Sequence, residues 1–142
     1  LFLILNRKRE SSILRQQVKY ADKKIDPEKA ESLLQRIDTL MKDDFLYKDP
    51  NLKLADLANR LGVLPHLVSQ LMNDNLGKNF TQYINEYRVN EAKTLIRANP
   101  HLKFDAIGDD CGFNSRSTFY STFKKLTGTT PTQFLHEQTL KI

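Results

Sequence analysis

Residues 54–63 read Leu54-Ala55-Asp56-Leu57-Ala58-Asn59-Arg60-Leu61-Gly62-Val63, and fifty positions later the chain reads Phe104-Asp105-Ala106-Ile107-Gly108-Asp109-Asp110-Cys111-Gly112-Phe113. The two blocks superpose without a gap. In each, apolar residues at i, i+3 and i+7 (Leu54, Leu57, Leu61; Phe104, Ile107, Cys111) line one side of a short helix. A small residue, Ala58 or Gly108, leaves room for a second helix to approach, and the following glycine supplies a left-handed turn. Second helices follow, carrying Leu67, Val68, Leu71 and Met72 inward in the first copy and Phe119, Thr122 and Phe123 in the second. The pattern is a helix-turn-helix written twice, and a pair in one register is a far stronger signal than a single copy.

Between the copies, Asn79-Phe80-Thr81-Gln82 has the form of a capping box. Phe80, Ile84, Tyr87, Leu95 and Ile96 then continue one helix face until Asn99-Pro100 ends it. A linker helix of about 21 residues would be roughly 31 Å long, close to the roughly 34 to 36 Å between successive major grooves on one side of B-DNA. After the second copy, Gly128 ends one helix and Thr130-Pro131-Thr132-Gln133 starts another, with Thr130 as N-cap, Pro131 at the first helical position and Gln133 at the third.

Upstream, Asp26-Pro27-Glu28 opens a helix whose apolar set is Ala30, Leu33, Leu34, Ile37, Leu40 and Met41, and Tyr47 to Asn51 is a loop. Leu14, Val18, Ala21 and Ile25 recur at the spacing of a coiled-coil seam, which reads either as a plain helical tether or as a weak dimerising stalk over residues 10–25. The chain opens Leu1-Phe2-Leu3-Ile4-Leu5-Asn6-Arg7-Lys8-Arg9 without an initiator Met and reads as a piece of something longer. Five apolar residues ahead of three cations resemble the last turn of a membrane-spanning helix at its cytoplasmic side, with the anchor lying N-terminal to Asn6. The start of an ordinary amphipathic helix is the plainer alternative. The organisation expected is a juxtamembrane stalk over 1–25, a helix and loop over 26–51, the first helix-turn-helix over 52–78, the linker helix over 79–99, and the second unit with a C-terminal helix over 100–142. The fold class is all-α.

The 142 residues carry a net charge of +5. Residues 7–24 hold seven cations and two anions, which is the whole excess, while residues 25–51 are acidic by three and residues 52–142 basic by three. Bulk charge is therefore weak evidence for nucleic-acid binding, and the argument rests on motifs. A chain this short, 39% hydrophobic and 27% charged, makes one small globular domain or two very small ones, and excludes a barrel or a dinucleotide-binding enzyme. One cysteine excludes an intramolecular disulfide and fits a reducing, cytoplasmic compartment.

The sequence resembles the DNA-binding domain of the AraC/XylS family of bacterial transcription regulators over roughly residues 45 to 138. The matching residues are Leu57-Ala58 with Gly62, Gly77 and Phe80, then Tyr83 and Arg88 with Ala92. Most specific is Cys111-Gly112-Phe113-Asn114-Ser115-Arg116-Ser117-Thr118-Phe119, continuing through Phe123-Lys124-Lys125-Leu126-Thr127-Gly128 to Thr130-Pro131. The resemblance implies seven helices, two helix-turn-helix units on a long linker helix, and promoter binding that recruits RNA polymerase, most often as an activator. It is also compatible with a place at the C-terminus of a membrane-bound sensor. Lys53 and Lys103 stand where the family has a capping Ser or Thr, Leu64 where it often has Ser, Gly108 where it has Ala, and Leu135 where it often has Arg. Leu64 is a poor N-cap, so fraying of the first recognition helix is expected.

A recognition helix reads bases with outward side chains near its N-terminus. In the first unit these are His66, Ser69, Gln70 and Asn73, and in the second Ser115, Arg116, Ser117, Tyr120 and Ser121. The geometry of Arg116 suits a bidentate contact to guanine and that of Gln70 a contact to adenine. Lys78, Lys124 and Lys125 suit phosphate contacts, which position without specifying. For each, the plain alternative is a solvated surface residue.

Catalytic chemistry has no foothold in the sequence. His66, His101 and His136 share no ligand spacing with one another or with Cys111, so neither metal nor cofactor is expected. Cys111 reads as a packed core thiol and Asp109-Asp110 as a helix exterior. The phosphate-loop, dinucleotide, nucleophile-elbow and zinc-protease motifs are absent, and an enzyme is not expected. The alternative function is a helical protein-interaction module that keeps the fold and has lost DNA binding.

Overall fold

The computed structural model describes residues 24–140. Among them are seven α-helices and one 3-10 turn, with no strand: α1 (Pro27–Lys42), the turn Leu46–Lys48, α2 (Leu54–Leu61), α3 (Pro65–Leu76), α4 (Phe80–Ala98), α5 (Phe104–Cys111), α6 (Arg116–Thr127) and α7 (Pro131–Leu140). The expected stalk over 10–25 and the apolar opening lie outside the described residues, apart from Lys24 and Ile25, which precede α1 in non-helical backbone. The chain forms two compact units, one of residues up to Thr39 with Lys53–Phe80, the other of Leu40–Leu52 with Thr81 onward.

In the first unit, α1 begins where Asp26-Pro27 directs, with the Asp26 carbonyl accepting from Ala30 N at 2.8 Å. Of its expected apolar face, Ala30, Leu33 and Ile37 are buried in this unit, while Leu34 is half-buried. α2 and α3 pack on each other. They bury Leu57, Ala58, Leu61, Leu67, Val68, Leu71 and Met72, the residues the helical period selects. Lys53 gives α2 no side-chain cap, and the free end is closed from the other direction by Asp56, whose Oδ2 accepts from Lys53 N at 2.9 Å. α3 likewise lacks a side-chain cap at Leu64, but Pro65 stands at its first position, where a missing N–H costs nothing and the fixed φ suits a helix. The fraying expected from Leu64 is thus offset by the residue after it.

The second unit has an aromatic core. Phe119 and Phe123 on α6 are fully buried, with Phe113 and Phe134 against them, and Val89, Ala92 and Ile96 of α4 and Ile107 and Cys111 of α5 complete the cluster. Ring centroids lie 5.2 to 5.9 Å apart along the series Phe113, Phe119, Phe123, Phe134, within the range where aromatic pairs add about 0.5 to 1.5 kcal/mol beyond burial. Gly108 is explained by this packing: a methyl group there would meet Phe119 Cδ2 at 3.0 Å. The box at Thr130 forms as expected, with Gln133 N donating to Thr130 Oγ1 at 3.1 Å and Thr130 N donating to Gln133 Oε1 at 3.0 Å.

Residues 40–52, grouped by sequence with the N-terminal helix, fold into this second unit. The stretch expected as a plain loop from Tyr47 contains part of the 3-10 turn, and Tyr47 is buried. Its ring stacks on Tyr87 at 5.7 Å and its hydroxyl donates to Glu91 Oε2 at 3.3 Å. Arg88 clamps the backbone, donating from Nε to the Tyr47 carbonyl at 2.7 Å and from Nη2 to the Asp49 carbonyl at 2.9 Å. Asn114 Nδ2 donates to the Pro50 carbonyl at 3.1 Å. The loop therefore lies across α4 and the turn of the second helix-turn-helix. Gly112 lies directly beneath it at φ 100°, and a side chain there would strike the Tyr47 carbonyl and approach Lys48 Cα to 2.9 Å.

This contact separates the two turn glycines. Gly62 is also left-handed, at φ 69°, but has open space around it. Gly62→Ala is expected to cost about 1 kcal/mol, the left-handed penalty alone, and Gly112→Ala about 2 to 5 kcal/mol, because overpacking adds to it. Urea denaturation of the two variants checks this, and equal losses would show that the Tyr47 contact carries no weight.

Candidate nucleic-acid interface

The two helix-turn-helix turns are built by the same backbone bonds. Gly62 N donates to Asn59 O and Val63 N to Ala58 O, and fifty residues on Gly112 N donates to Asp109 O and Phe113 N to Gly108 O, all between 3.0 and 3.2 Å. The left-handed glycine thus satisfies the carbonyls at the end of each first helix and turns the chain. Beyond the turn the repeat slips by one residue. α3 starts at Pro65 and α6 at Arg116, an offset of fifty-one, and the closing glycines Gly77 and Gly128 keep that offset. The extra residue falls in the second turn, where Asn114 bonds to Pro50 and Ser115 caps α6 by accepting from Thr118 N at 3.1 Å.

Side chains at the N-terminal half of each second helix follow from this register. On α3, His66 and Asn73 are exposed, and Ser69 and Gln70 are half-buried. Gln70 Oε1 is shielded from solvent, so bidentate reading of adenine requires the side chain to turn outward from the position seen here. On α6, Ser115, Arg116, Ser117 and Ser121 are exposed and Tyr120 is half-buried, its ring edge-on to Phe104 and Phe119. Part of the Tyr120 ring is thus core, and its hydroxyl end is what remains for contact. The Ser115 hydroxyl is engaged in capping, donating to Thr118 Oγ1 at 2.9 Å as well as accepting from the Thr118 amide.

The helices differ in charge. α3 has no basic residue in either terminal turn, whereas α6 has Arg116 at its start and Lys124 and Lys125, both exposed, in its last turn. Lys78 is half-buried just past Gly77. Arg116 is held in place: its Nε lies 3.4 Å from Asp105 Oδ1, Nη2 donates to the Tyr120 hydroxyl at 3.4 Å, and the guanidinium carbon sits 5.2 Å from the Tyr120 ring centroid. The Tyr120 bond, with the nearby Asp105 charge second, raises the guanidinium pKa further above its already high value. Asp105 and Asn114 were not among the residues selected from sequence. Neither has a periodic relation to the recognition helix, and only the repeat could have flagged Asp105, which stands where the first copy has Ala55.

A family model described as a helix-turn-helix domain, of the AraC type, matches residues 57–137, more than half of the chain. The chain belongs to this AraC-type helix-turn-helix family. Among curated proteins it is similar to the transcriptional regulatory protein YesN of Bacillus subtilis (29% identical over 92 residues, 63% of this chain and 25% of that protein). It is also similar to the arabinose operon regulatory protein of Escherichia coli (28% over 86 residues, 61% of this chain and 29% of that protein). It therefore spans under a third of the length of these two relatives. Among solved structures, a transcriptional regulator of Chromobacterium violaceum with an AraC-type DNA-binding domain superposes with a TM-score of 0.66 at 25% identity, covering 78% of this chain and 96% of that one. The C-terminal domain of a yesN two-component response regulator from Fusobacterium nucleatum superposes with a TM-score of 0.62 at 27% identity, covering 74% and 95%.

Among the described residues no group of three or more His, Cys, Asp or Glu side chains is placed to hold a metal, and no helix is long and apolar enough to cross a membrane. Cys111, expected as a core thiol, is fully buried. Burial first, and then the negative charge of Glu91, pushes its pKa up to about 12. Burial and Glu91 push the Tyr47 hydroxyl up to about 12 as well. Both groups hold their protons in the folded chain at a pH where the unfolded chain has lost them, so the stability they contribute is full below about pH 9 and falls as pH rises toward about 12. The urea midpoint should drop steadily across that window, and more gently in Cys111→Ala. Equal slopes for the two proteins would show that the thiol is not kept protonated by the fold.

Proposed function

We propose that this chain is the DNA-binding part of a transcription regulator and that it reads two adjacent major-groove segments, one with α3 and one with α6. The observation that carries the reading is the N-terminal end of α6: a capped helix on an aromatic core, with Arg116, Ser117 and Ser121 exposed and the Arg116 guanidinium over the Tyr120 ring beside Asp105. A planar guanidinium at the leading end of a recognition helix suits the O6 and N7 acceptors of guanine. The base-reading set is His66, Ser69, Gln70 and Asn73 on α3 and Ser115, Arg116, Ser117, Tyr120 and Ser121 around the start of α6. Lys78, Lys124 and Lys125 are the phosphate contacts. Since α6 carries the cations and α3 none in its terminal turns, the second unit supplies most of the electrostatic affinity and the first adds selectivity.

Further parts of the proposal rest on the sequence. Promoter binding that recruits RNA polymerase, as an activator, follows from the family. Dimerisation through residues 10–25 follows from the Leu14, Val18, Ala21 and Ile25 seam. A membrane anchor N-terminal to Asn6, with this domain on the cytoplasmic face, follows from the apolar run and the Arg7-Lys8-Arg9 cluster.

The test is selection of bound sequences from a randomised duplex pool at near-physiological salt. Two enriched blocks about one helical turn apart are expected, with log K falling linearly against log salt. On the selected duplex, Arg116→Ala should cost about 1 to 3 kcal/mol and relax one base position. Uniform loss on all sequences would make Arg116 a phosphate contact. Absence of any DNA signal, from the chain and from a forced dimer of the stalk, would favour the protein-interaction module.

A further inference from the structure

Two features of the Arg116 environment are unexplained by folding. Asp105 and Arg116 remain about two-thirds exposed, 63% and 66% respectively, although they approach to 3.4 Å. Exposed pairs of this kind contribute little to stability. Secondly, the contact is made through Nε, on the inner edge of the guanidinium, while the guanidinium carbon lies over the Tyr120 ring, 5.2 Å from its centroid. A guanidinium has five N–H donors in a rigid fork. With Nε turned to Asp105, the terminal pair Nη1 and Nη2 is the edge left for a guanine, with the Tyr120 hydroxyl a long 3.4 Å from Nη2.

We propose that Asp105 is a specificity-determining residue, a carboxylate that holds the Arg116 fork end-on for a base edge and cancels its charge toward phosphate. This rests on the reading of Arg116 as a base contact. The two ligands differ in what they need from an arginine. Guanine O6 and N7 need two parallel N–H groups in one plane. A backbone phosphate needs net positive charge and accepts it from many directions. A neighbouring carboxylate leaves the first intact and removes much of the second, so it weakens binding to every sequence but weakens it least where a guanine meets the fork. α5 carries Asp105 at its second position and α6 carries Arg116 at its first, each on a rigid element. Phe104, the residue before Asp105, packs edge-on to Tyr120 at 6.1 Å, so the carboxylate and the ring beneath the guanidinium are placed by one packed pair.

The experiment uses the full chain and compares Asp105→Asn, Asp105→Glu, Arg116→Ala and the double variant Asp105→Asn with Arg116→Ala, on the selected duplex, the other three base pairs at the Arg116 position, and a random duplex. Asp105→Asn is expected to tighten binding to the random duplex about three- to tenfold and to steepen the slope of log K against log salt by about one. Preference for the chosen base should fall by about tenfold. Asp105→Glu should restore part of that preference. In the Arg116→Ala background, Asp105→Asn should leave base preference unchanged, since the two act as one unit. Unchanged base preference in Asp105→Asn, with preference lost in Arg116→Ala, would overturn the proposal while leaving Arg116 as a base contact. Full preference in Arg116→Ala would overturn the reading on which the proposal depends, and the proposal with it.

Discussion

The Arg88 guanidinium binds the carbonyls of Tyr47 and Asp49, and the second unit is arranged around that clamp. The carbonyls belong to an irregular stretch in which the Asp49 carbonyl also accepts from Leu52 N at 3.3 Å, while Tyr47 is buried and its carbonyl takes the shorter Arg88 bond. One arginine on α4 converts the stretch into a packed layer, and half-burial accordingly lowers the pKa of Arg88 below its usual value. With the backbone held, Tyr47 can stack on Tyr87 and reach Glu91, and the Pro50 carbonyl can receive Asn114. Gly112 must then be a glycine for two reasons at once, its left-handed φ and the Tyr47 carbonyl over it. The clamp thus meets the turn immediately before the recognition helix, and the geometry at Asn114, Ser115 and Arg116 depends on a segment sixty residues earlier in the chain.

That dependence gives the two copies of the repeat different characters. The first turn is open, capped only by proline geometry, and leads to a helix without a terminal cation. The second is one residue longer, tied down at Asn114, capped by Ser115, and leads to a helix with three cations on an aromatic core. A duplicated pattern therefore differs in the turn length, capping and charge of its second helices while keeping the backbone bonds that make the turn. Shape is shared, and the chemistry presented on it differs.

Asp105 shows how little of this is stability. A solvated ion pair adds almost nothing to folding, yet it decides which edge of an arginine is offered and how much charge a phosphate meets. Interfaces that must discriminate among polyanions of equal charge need such devices, because attraction alone strengthens binding to every sequence alike.

The sequence by itself determined the helices, the duplicated turn and the buried faces, because these follow from local rules. Apolar spacing selects Leu57, Leu61, Ile107 and Cys111, φ selects Gly62 and Gly112, and side-chain reach selects the cap at Thr130. It also carried the family resemblance, which the match over residues 57–137 bears out. What only the tertiary structure decided involves partners far apart in sequence. The burial of Tyr47, the Arg88 clamp and the pairing of Asp105 with Arg116 come from the way α4, α5 and α6 are brought together, and no period or motif encodes a contact between residues 41 or 11 positions apart. Local rules act through the backbone of a few neighbouring residues, whereas these contacts exist only after packing has fixed where each helix lies.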